Sequence, residues 1–259
     1  MKLYMMQGRL SPPVYNHMQE FPYEKWQEEF KLLKQIDIRG VEWLLTKRHF
    51  LDNPVVVDTA TTQNLPISSL CFDVLVDERI IQKDYLNNTL GKLCEAVKDT
   101  KIKNITIPLL ENSSMEDKNR REKFIELIVD YADKYDEINF SFEAELDTKS
   151  LDEIVFLRDN FFVTYDTGNI TSCGLDHASY IKHYENKINN VHLKDRTFKA
   201  QTVAPLTGDT DFFTIFKCLG EINYDGPFVL QTARGIIGEE YNTILKHKLI
   251  FEELYEKHF

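Results

Sequence analysis

Cysteine, long apolar runs and basic charge are all scarce in this 259-residue chain. No C-x-x-C pair occurs among its cysteines, so the sequence predicts neither a disulfide framework nor a zinc knuckle. No stretch approaches the ~18 consecutive apolar residues of a membrane-spanning helix, and the first residues, MKLYMMQGRL, lack the apolar region of a signal peptide. We therefore expect an unexported, cytoplasmic protein with reduced cysteines and no membrane partner.

The deficit of basic residues argues against nucleic-acid binding. Lys and Arg number 31 against 42 Asp and Glu, which leaves a formal charge of −11 that repels phosphate backbones at long range. The densest basic run, KNRR at residues 118–121, is flanked by acidic residues, as on a solvated helix face. We expect no nucleic-acid partner.

Apolar residues, at 42% of the chain, are numerous enough for a sizeable core. Short β-rich apolar runs alternate with longer segments of helical periodicity, which is typical of repeated βα units. The predicted strands are Leu3–Met6, Val41–Leu44, Ile67–Cys71, Asn104–Leu109, Asn139–Glu145, Phe161–Tyr165, Asn190–Leu193 and Pro227–Leu230. The predicted helices are Glu24–Gln35, a segment near Val55–Gln63, Tyr85–Val97, Glu122–Tyr135, Leu151–Arg158, Phe212–Leu219 and Glu240–Tyr255.

Eight strands that alternate with helices can close into a barrel or form an open, doubly wound sheet. An open sheet should show a glycine-rich turn after its first strand, but residues 7–13 contain neither G-x-G-x-x-G nor a Walker A lysine. The sequence therefore predicts an α/β fold, a (β/α)8 TIM barrel, with residues 1–259 as a single domain. Pro12–Pro22 and Thr197–Thr210 are long enough to be loops over the strand ends.

Polar side chains follow the last four predicted strands, at the barrel end where TIM-barrel active sites lie. Glu143, Asp166 and His192 recur at intervals of about one βα unit. Two carboxylates and one imidazole suit Mn, Co, Mg, Fe or Zn. Gln231, after the eighth strand, adds a carbonyl oxygen as a fourth ligand. A divalent metal ion is the predicted cofactor.

Neighbouring positions extend this site. Side chains two residues apart on a strand share a face, so Glu145 and Lys194 become acid/base candidates. Gln7 and Arg9 after the first strand, and Glu42 in the second, either face the same cavity or form a salt bridge at its edge.

Each of these residues also has an ordinary structural interpretation. A single strand-end carboxylate often caps a loop or pairs with a cation, and His192 alone suits a satisfied core position. The YDTGN run at residues 165–169 equally suits a turn, because Asp, Gly and Asn favour turn geometry.

The ordered motifs resemble those of the xylose isomerase-like TIM barrels, the superfamily of sugar-phosphate isomerases and epimerases that also includes endonuclease IV. The resemblance covers essentially the whole chain and is carried by MQGRLSPP at Met6–Pro13, FSFEAEL, VTYDTGN, VHLKDR, GDTDF at Gly208–Phe212 and GPFVLQTAR. It implies that Glu143, Asp166 and His192 bind the metal ion. It also implies that Asn169 and Arg196 lie where relatives contact sugar hydroxyls.

The chain departs from the family at the eighth strand, where two-base epimerases carry a second glutamate and this chain has Gln231. An amide cannot take a proton from carbon at neutral pH, so Glu143 is the expected base. Lys194 or Glu145 then completes the proton transfer, or one base serves both steps of an aldose–ketose isomerisation. Endonuclease IV activity is disfavoured, because the first four strand ends lack the histidines of a trinuclear zinc cluster.

The sequence therefore predicts a divalent-metal-dependent isomerase or epimerase of a small sugar or sugar phosphate, acting through an enediolate. Arg196 and Arg234 either hold an anionic group of the substrate or are ordinary surface residues. The alternatives are a metal-assisted lyase or dehydratase on a hydroxy or keto acid, and a sugar-binding barrel that has lost its second acid/base group. Relatives often form dimers or tetramers, so a homo-oligomer is one expectation.

Overall fold

Eight parallel strands close into a barrel in the computed structural model, which describes residues 1–259. The strands are Leu3–Met6, Val41–Leu45, Ile67–Phe72, Asn104–Leu109, Asn139–Ala144, Phe161–Asp166, Ile188–Leu193 and Phe228–Leu230. The first strand pairs with both the second and the eighth, so the sheet has no open edge. The predicted TIM barrel is confirmed.

Helices separate the strands. The α-helices are Trp26–Gln35, Pro54–Val57, Thr59–Thr62, Lys83–Leu86, Lys92–Val97, Lys118–Lys134, Thr148–Val155, Thr167–Cys173, His177–His183, Phe212–Glu221 and Glu240–His258. The short 3-10 helices are Val14–Asn16, Lys47–His49, Asp73–Leu75, Glu78–Ile81 and Glu111–Ser113, and Asn87–Gly91 is a π-helical turn. None of the helices combines the length and apolar character needed to cross a bilayer.

Four segments differ from the prediction. The predicted helix near Val55–Gln63 is two single-turn helices, since Asp58 at the junction has the non-helical φ of −140°. Thr167–Cys173 and His177–His183 are helices that the sequence did not predict. A two-stranded antiparallel hairpin, Asp195–Arg196 with Thr202–Val203, extends into the predicted loop after the seventh strand.

Residues 43–163 form one of two compact units. Its aromatic core is built from strand residues whose rings meet edge to face. The ring centroids of Phe142 and Phe161 are 5.1 Å apart, and those of Phe140 and Phe161 are 6.3 Å apart. Phe124, on the helix Lys118–Lys134, adds an edge contact to Phe142 at 6.1 Å. Such pairs stabilise the core beyond the area that they bury.

Residues 1–42 and 164–259 form the other unit. Its strands are in parallel register, with Val229 opposite His192 and Leu230 opposite Leu193. Register partners in adjacent strands point to the same face, and alternate residues along a strand do too. Gln231 therefore follows Val229 on the face that carries His192.

Replacing Phe161 by alanine should destabilise the protein by about 3–5 kcal/mol, because the cavity left between two buried rings cannot close fully. Phe156, which is 53% exposed, is the matched control and should lose less than about 1 kcal/mol on the same change. Urea unfolding followed by circular dichroism measures both. Equal losses for Phe161→Ala and Phe156→Ala would contradict this account of the core.

Candidate metal centre

Three ligand atoms, one each from Glu143, Asp166 and His192, lie within 4.8 Å of one another. The three side chains are buried, with exposures of 2%, 2% and 0%. Ionised groups at such depth are costly unless they are paired or bind a cation. Two carboxylates and an imidazole are a suitable donor set for a divalent first-row metal or Mg²⁺, so the residues predicted as ligands fit that role.

The carboxylate of Glu42, on the second strand, fixes the orientation of the His192 ring. His192 Nε2 lies 2.6 Å from Glu42 Oε2, and both groups are fully buried. Asn190 Nδ2 donates to both oxygens of Glu42, at 3.2 and 3.3 Å. Glu42 is thus an acceptor, which assigns a proton to Nε2 of His192. In the neutral imidazole Nδ1 then carries the lone pair, as a metal-ligating histidine oriented by a carboxylate requires.

Asp166 uses its two oxygens differently. Oδ1 accepts from the backbone N–H of Asn169 at 2.8 Å and so caps the helix Thr167–Cys173. Oδ2 lies 2.6 Å from Lys194 Nζ and 3.8 Å from His192 Nδ1. The YDTGN run therefore forms a strand end and a helix start rather than a simple turn.

Lys194 brings a positive charge to this group. Its side chain is 13% exposed, and its ammonium pairs with Asp166. Thr167 Oγ1 donates to Lys194 O at 2.6 Å and accepts from Lys194 N at 3.0 Å, which fixes the end of the seventh strand. Glu145, the other acid/base candidate, is half-buried directly after the fifth strand.

Asn169 and Arg196 are brought together, since Arg196 Nη1 donates to Asn169 Oδ1 at 2.9 Å. The loop beyond them is held by Asp195, which accepts from the backbone N–H groups of Thr207, Gly208 and Thr210. A Cβ at Gly208 would lie 2.3 Å from Asp195 Oδ1, so only glycine fits there. This contact joins the VHLKDR and GDTDF segments of the chain.

Arg9 and Arg234 both contact the loop after the first strand. Arg9 is 4% exposed and donates to the carbonyls of Met18 and Thr232. Arg234 donates to the carbonyls of Gly8, Ser11 and Met18. Both guanidinium groups therefore bind loop backbone.

Gln7 precedes that loop. It is fully buried, and its backbone N–H donates to the carbonyl of Glu42 at 3.0 Å. This hydrogen bond ties the end of the first strand to the residue that orients His192.

Glu29 is a loop contact that the sequence reasoning missed. Its carboxylate is 1% exposed and accepts from the N–H groups of Gly8 and Leu10 and from Ser11 Oγ. Burial raises the pKa of Glu29 to about 7, against the lowering effect of these hydrogen bonds. Its position, three residues after Trp26 and four before Leu33, lies on the apolar stripe of its helix and could have revealed it.

Replacing Glu29 by glutamine should change how stability depends on pH. The pKa of about 7 in the folded protein exceeds the ordinary 4.5, so the folded state binds the proton more tightly. The stabilisation that this proton gives is complete below pH 4.5 and is lost as the pH rises through 7. Wild type should lose roughly 3 kcal/mol across that window relative to Glu29→Gln.

Urea unfolding from pH 4.5 to 8 measures this difference. Glu28→Gln, an exposed change on the same helix, should follow the wild-type pH profile. Parallel profiles for wild type and Glu29→Gln would refute the assignment of Glu29 as the titrating group.

Replacing Glu42 by glutamine should weaken divalent-metal binding by about 10–100-fold, because the imidazole loses its negatively charged partner. Titration calorimetry with Mn²⁺ or Zn²⁺ measures the affinity. Glu28→Gln is again the control and should bind metal as wild type does. Unchanged affinity in Glu42→Gln would show that this carboxylate does not support the ligand.

The family described as xylose isomerase-like TIM barrel matches residues 30–248. The inosose dehydratase of Clostridium perfringens is 30% identical over 107 residues, which cover 34% of this chain and 36% of that protein. The matched region is thus about a third of the length of the curated relative.

Solved structures share the fold over nearly the whole chain. The IOLI protein with a binding zinc atom has a TM-score of 0.74 at 17% identity, covering 100% of this chain and 99% of that one. A D-tagatose 3-epimerase-like protein has a TM-score of 0.70 at 18% identity, covering 99% and 97%. Together with the family match, which includes Glu143, Asp166, His192 and Gln231, these findings show that the chain belongs to the xylose isomerase-like TIM barrel family.

Proposed function

We propose that this protein is a divalent-metal-dependent isomerase or epimerase of a small sugar or sugar phosphate. The observation that carries the proposal is the buried group of Glu143, Asp166 and His192, with Glu42 orienting the imidazole. A divalent cation held by these residues would polarise a substrate carbonyl and stabilise the negative charge that develops on its oxygen. Any of Mn, Co, Mg or Zn suits the donor set.

Glu143 is the proposed base. Its carboxylate is 2% exposed, so few water molecules compete for it once substrate fills the barrel mouth. A carboxylate beside the carbon next to a carbonyl can accept the proton there, and holding it in place contributes about 10²–10⁴-fold to the rate.

Lys194 is the proposed acid. Its ammonium lies against Asp166 at the end of the neighbouring strand, where it can give a proton to a substrate oxygen. Glu145 is the alternative for this second transfer. Asn169 and Arg196, which contact each other, are proposed to bind substrate hydroxyls or a terminal anionic group. For Gln7, Arg9 and Arg234 we propose an indirect role, since they shape the loop beside the site.

A dehydratase is the second candidate. One carboxylate base and one ammonium acid suffice to remove a proton from carbon and to protonate a departing hydroxyl. The similarity over 107 residues to inosose dehydratase supports this alternative. Both reactions begin with the same proton transfer, and they differ in what the second group protonates.

Deuterium exchange tests the shared step. The metal-loaded protein is incubated in D₂O with ketoses, aldoses, their phosphates and inososes, and proton NMR follows the signal at the carbon next to the carbonyl. We expect metal-dependent loss of that signal with at least one substrate class. Glu143→Gln at saturating metal should slow the exchange by ~10²-fold or more, whereas Glu126→Gln, an exposed change, should not.

The products separate the candidates. Conversion between aldose and ketose or between epimers supports the isomerase, and the appearance of an unsaturated product absorbing in the ultraviolet supports the dehydratase. Metal binding and sugar binding without exchange would overturn both and favour a binding barrel.

A further inference from the structure

The amide group of Gln231 is buried, and its two ends have different surroundings. Its side chain is 4% exposed, and its Oε1 is a buried atom that makes no hydrogen bond within the protein. A buried carbonyl oxygen left without a donor costs roughly 1–3 kcal/mol. To keep its oxygen in this position, the Gln231 side chain needs a neighbouring residue that fixes the orientation of its amide. It also needs a group outside the protein that the oxygen can bind.

The neighbour that holds it is Gln19, in the loop after the first strand. Gln231 Nε2 lies 3.4 Å from Gln19 Oε1, and Arg9 Nη2 lies 3.3 Å from the same oxygen. One amide oxygen therefore receives two donors, although residues 19 and 231 are 212 positions apart in the chain.

Arg9 makes this assignment unambiguous. A guanidinium can only donate, so the atom of Gln19 that faces Arg9 must be its oxygen. An oxygen in turn accepts only from a donor, so the atom of Gln231 that faces it must be the NH₂ group. The carbonyl oxygen of Gln231 consequently points away from Gln19, at the other end of the planar amide group.

The register of the strands gives the face of the barrel on which the Gln231 side chain lies. Gln231 follows Val229 on the face of the eighth strand that lies beside His192. His192 presents Nδ1 to Asp166 on this same face. A carbonyl oxygen on this face can serve as a ligand of a cation held by His192 and Asp166, whereas an amide NH₂ group would present partial positive charge to that cation.

We propose that Gln19, held by Arg9, is a positioning residue that keeps the carbonyl oxygen of Gln231 turned toward the cation, so that a neutral amide serves as its fourth ligand. This inference rests on the metal-dependent function proposed above. A glutamate at position 231 would need no such partner, because its two oxygens are equivalent. Gln19 is thus needed only because residue 231 is a glutamine and not a glutamate.

Titration calorimetry with Mn²⁺ tests the proposal in the absence of any substrate. Gln19→Ala should lower the Mn²⁺ affinity about 10-fold, as loss of a residue that orients a ligand does. Gln19→Glu retains an acceptor oxygen for both Arg9 and Gln231, and its affinity should match or exceed that of wild type. Gln27→Ala, an exposed change, is the matched control and should leave the affinity unchanged.

Making Gln19→Ala in a Gln231→Glu protein tests whether the effect of Gln19 depends on the amide of Gln231. In Gln231→Glu, adding Gln19→Ala should leave the Mn²⁺ affinity unchanged or raise it, because no amide remains to be oriented. Equal losses in both backgrounds would show that Gln19 acts only through the loop, and would overturn the proposal.

Two further outcomes separate this inference from the function on which it rests. Wild-type affinity in Gln19→Ala, with Mn²⁺ bound normally by the parent protein, overturns only the role of Gln19. No Mn²⁺ binding by the parent protein overturns both. Urea unfolding of each apo variant, expected to match wild type within about 1 kcal/mol, excludes a general loss of structure.

Discussion

Charge compensation inside the barrel is the constraint on which the site depends. Glu42, Asp166, His192 and Lys194 are ionisable groups with little or no access to solvent, and each is placed against a group of complementary character. Removing one partner would leave another charge or polar group buried alone, which is strongly destabilising. The chemistry proposed for the site and the stability of its walls therefore come from the same contacts.

The loop after the first strand is held by three ionisable side chains, of which Glu29 and Arg9 are buried and Arg234 is half-buried. Glu29 accepts from its N–H groups, while Arg9 and Arg234 donate to its carbonyls. Carboxylate and guanidinium thus divide the backbone donors and acceptors between them. A loop fixed in this way can present a side chain such as Gln19 to the barrel interior with a defined orientation.

Most of the framework could be predicted from the sequence, because strand residues such as Leu3–Met6 and Asn104–Leu109 form distinct apolar runs. The helix Thr167–Cys173 could not, since Thr, Gly, Asn and Ser are poor helix formers. Its stability comes from the Asp166 cap and from burial of its first six residues. The ligand candidates were visible because they follow successive strands.

Their supporting partners were hidden for other reasons. The sequence left open whether Glu42 faces the cavity or forms a salt bridge at its edge, because its neighbours in VEWLL are all apolar and show no alternation. In the structure every residue of this strand is buried. Gln19 and Gln231 meet only through tertiary structure.

The two oxygens of Asp166 have a consequence for how such a site can evolve. One oxygen caps the helix that carries Asn169, and the other pairs with Lys194 and is the atom proposed to bind the cation. Any substitution that altered the ligand would also alter the helix start, and with it the side chain proposed to touch substrate. Under the proposed function, metal preference and substrate preference are therefore linked through one carboxylate. Position 231, which caps no helix, is free of this double constraint.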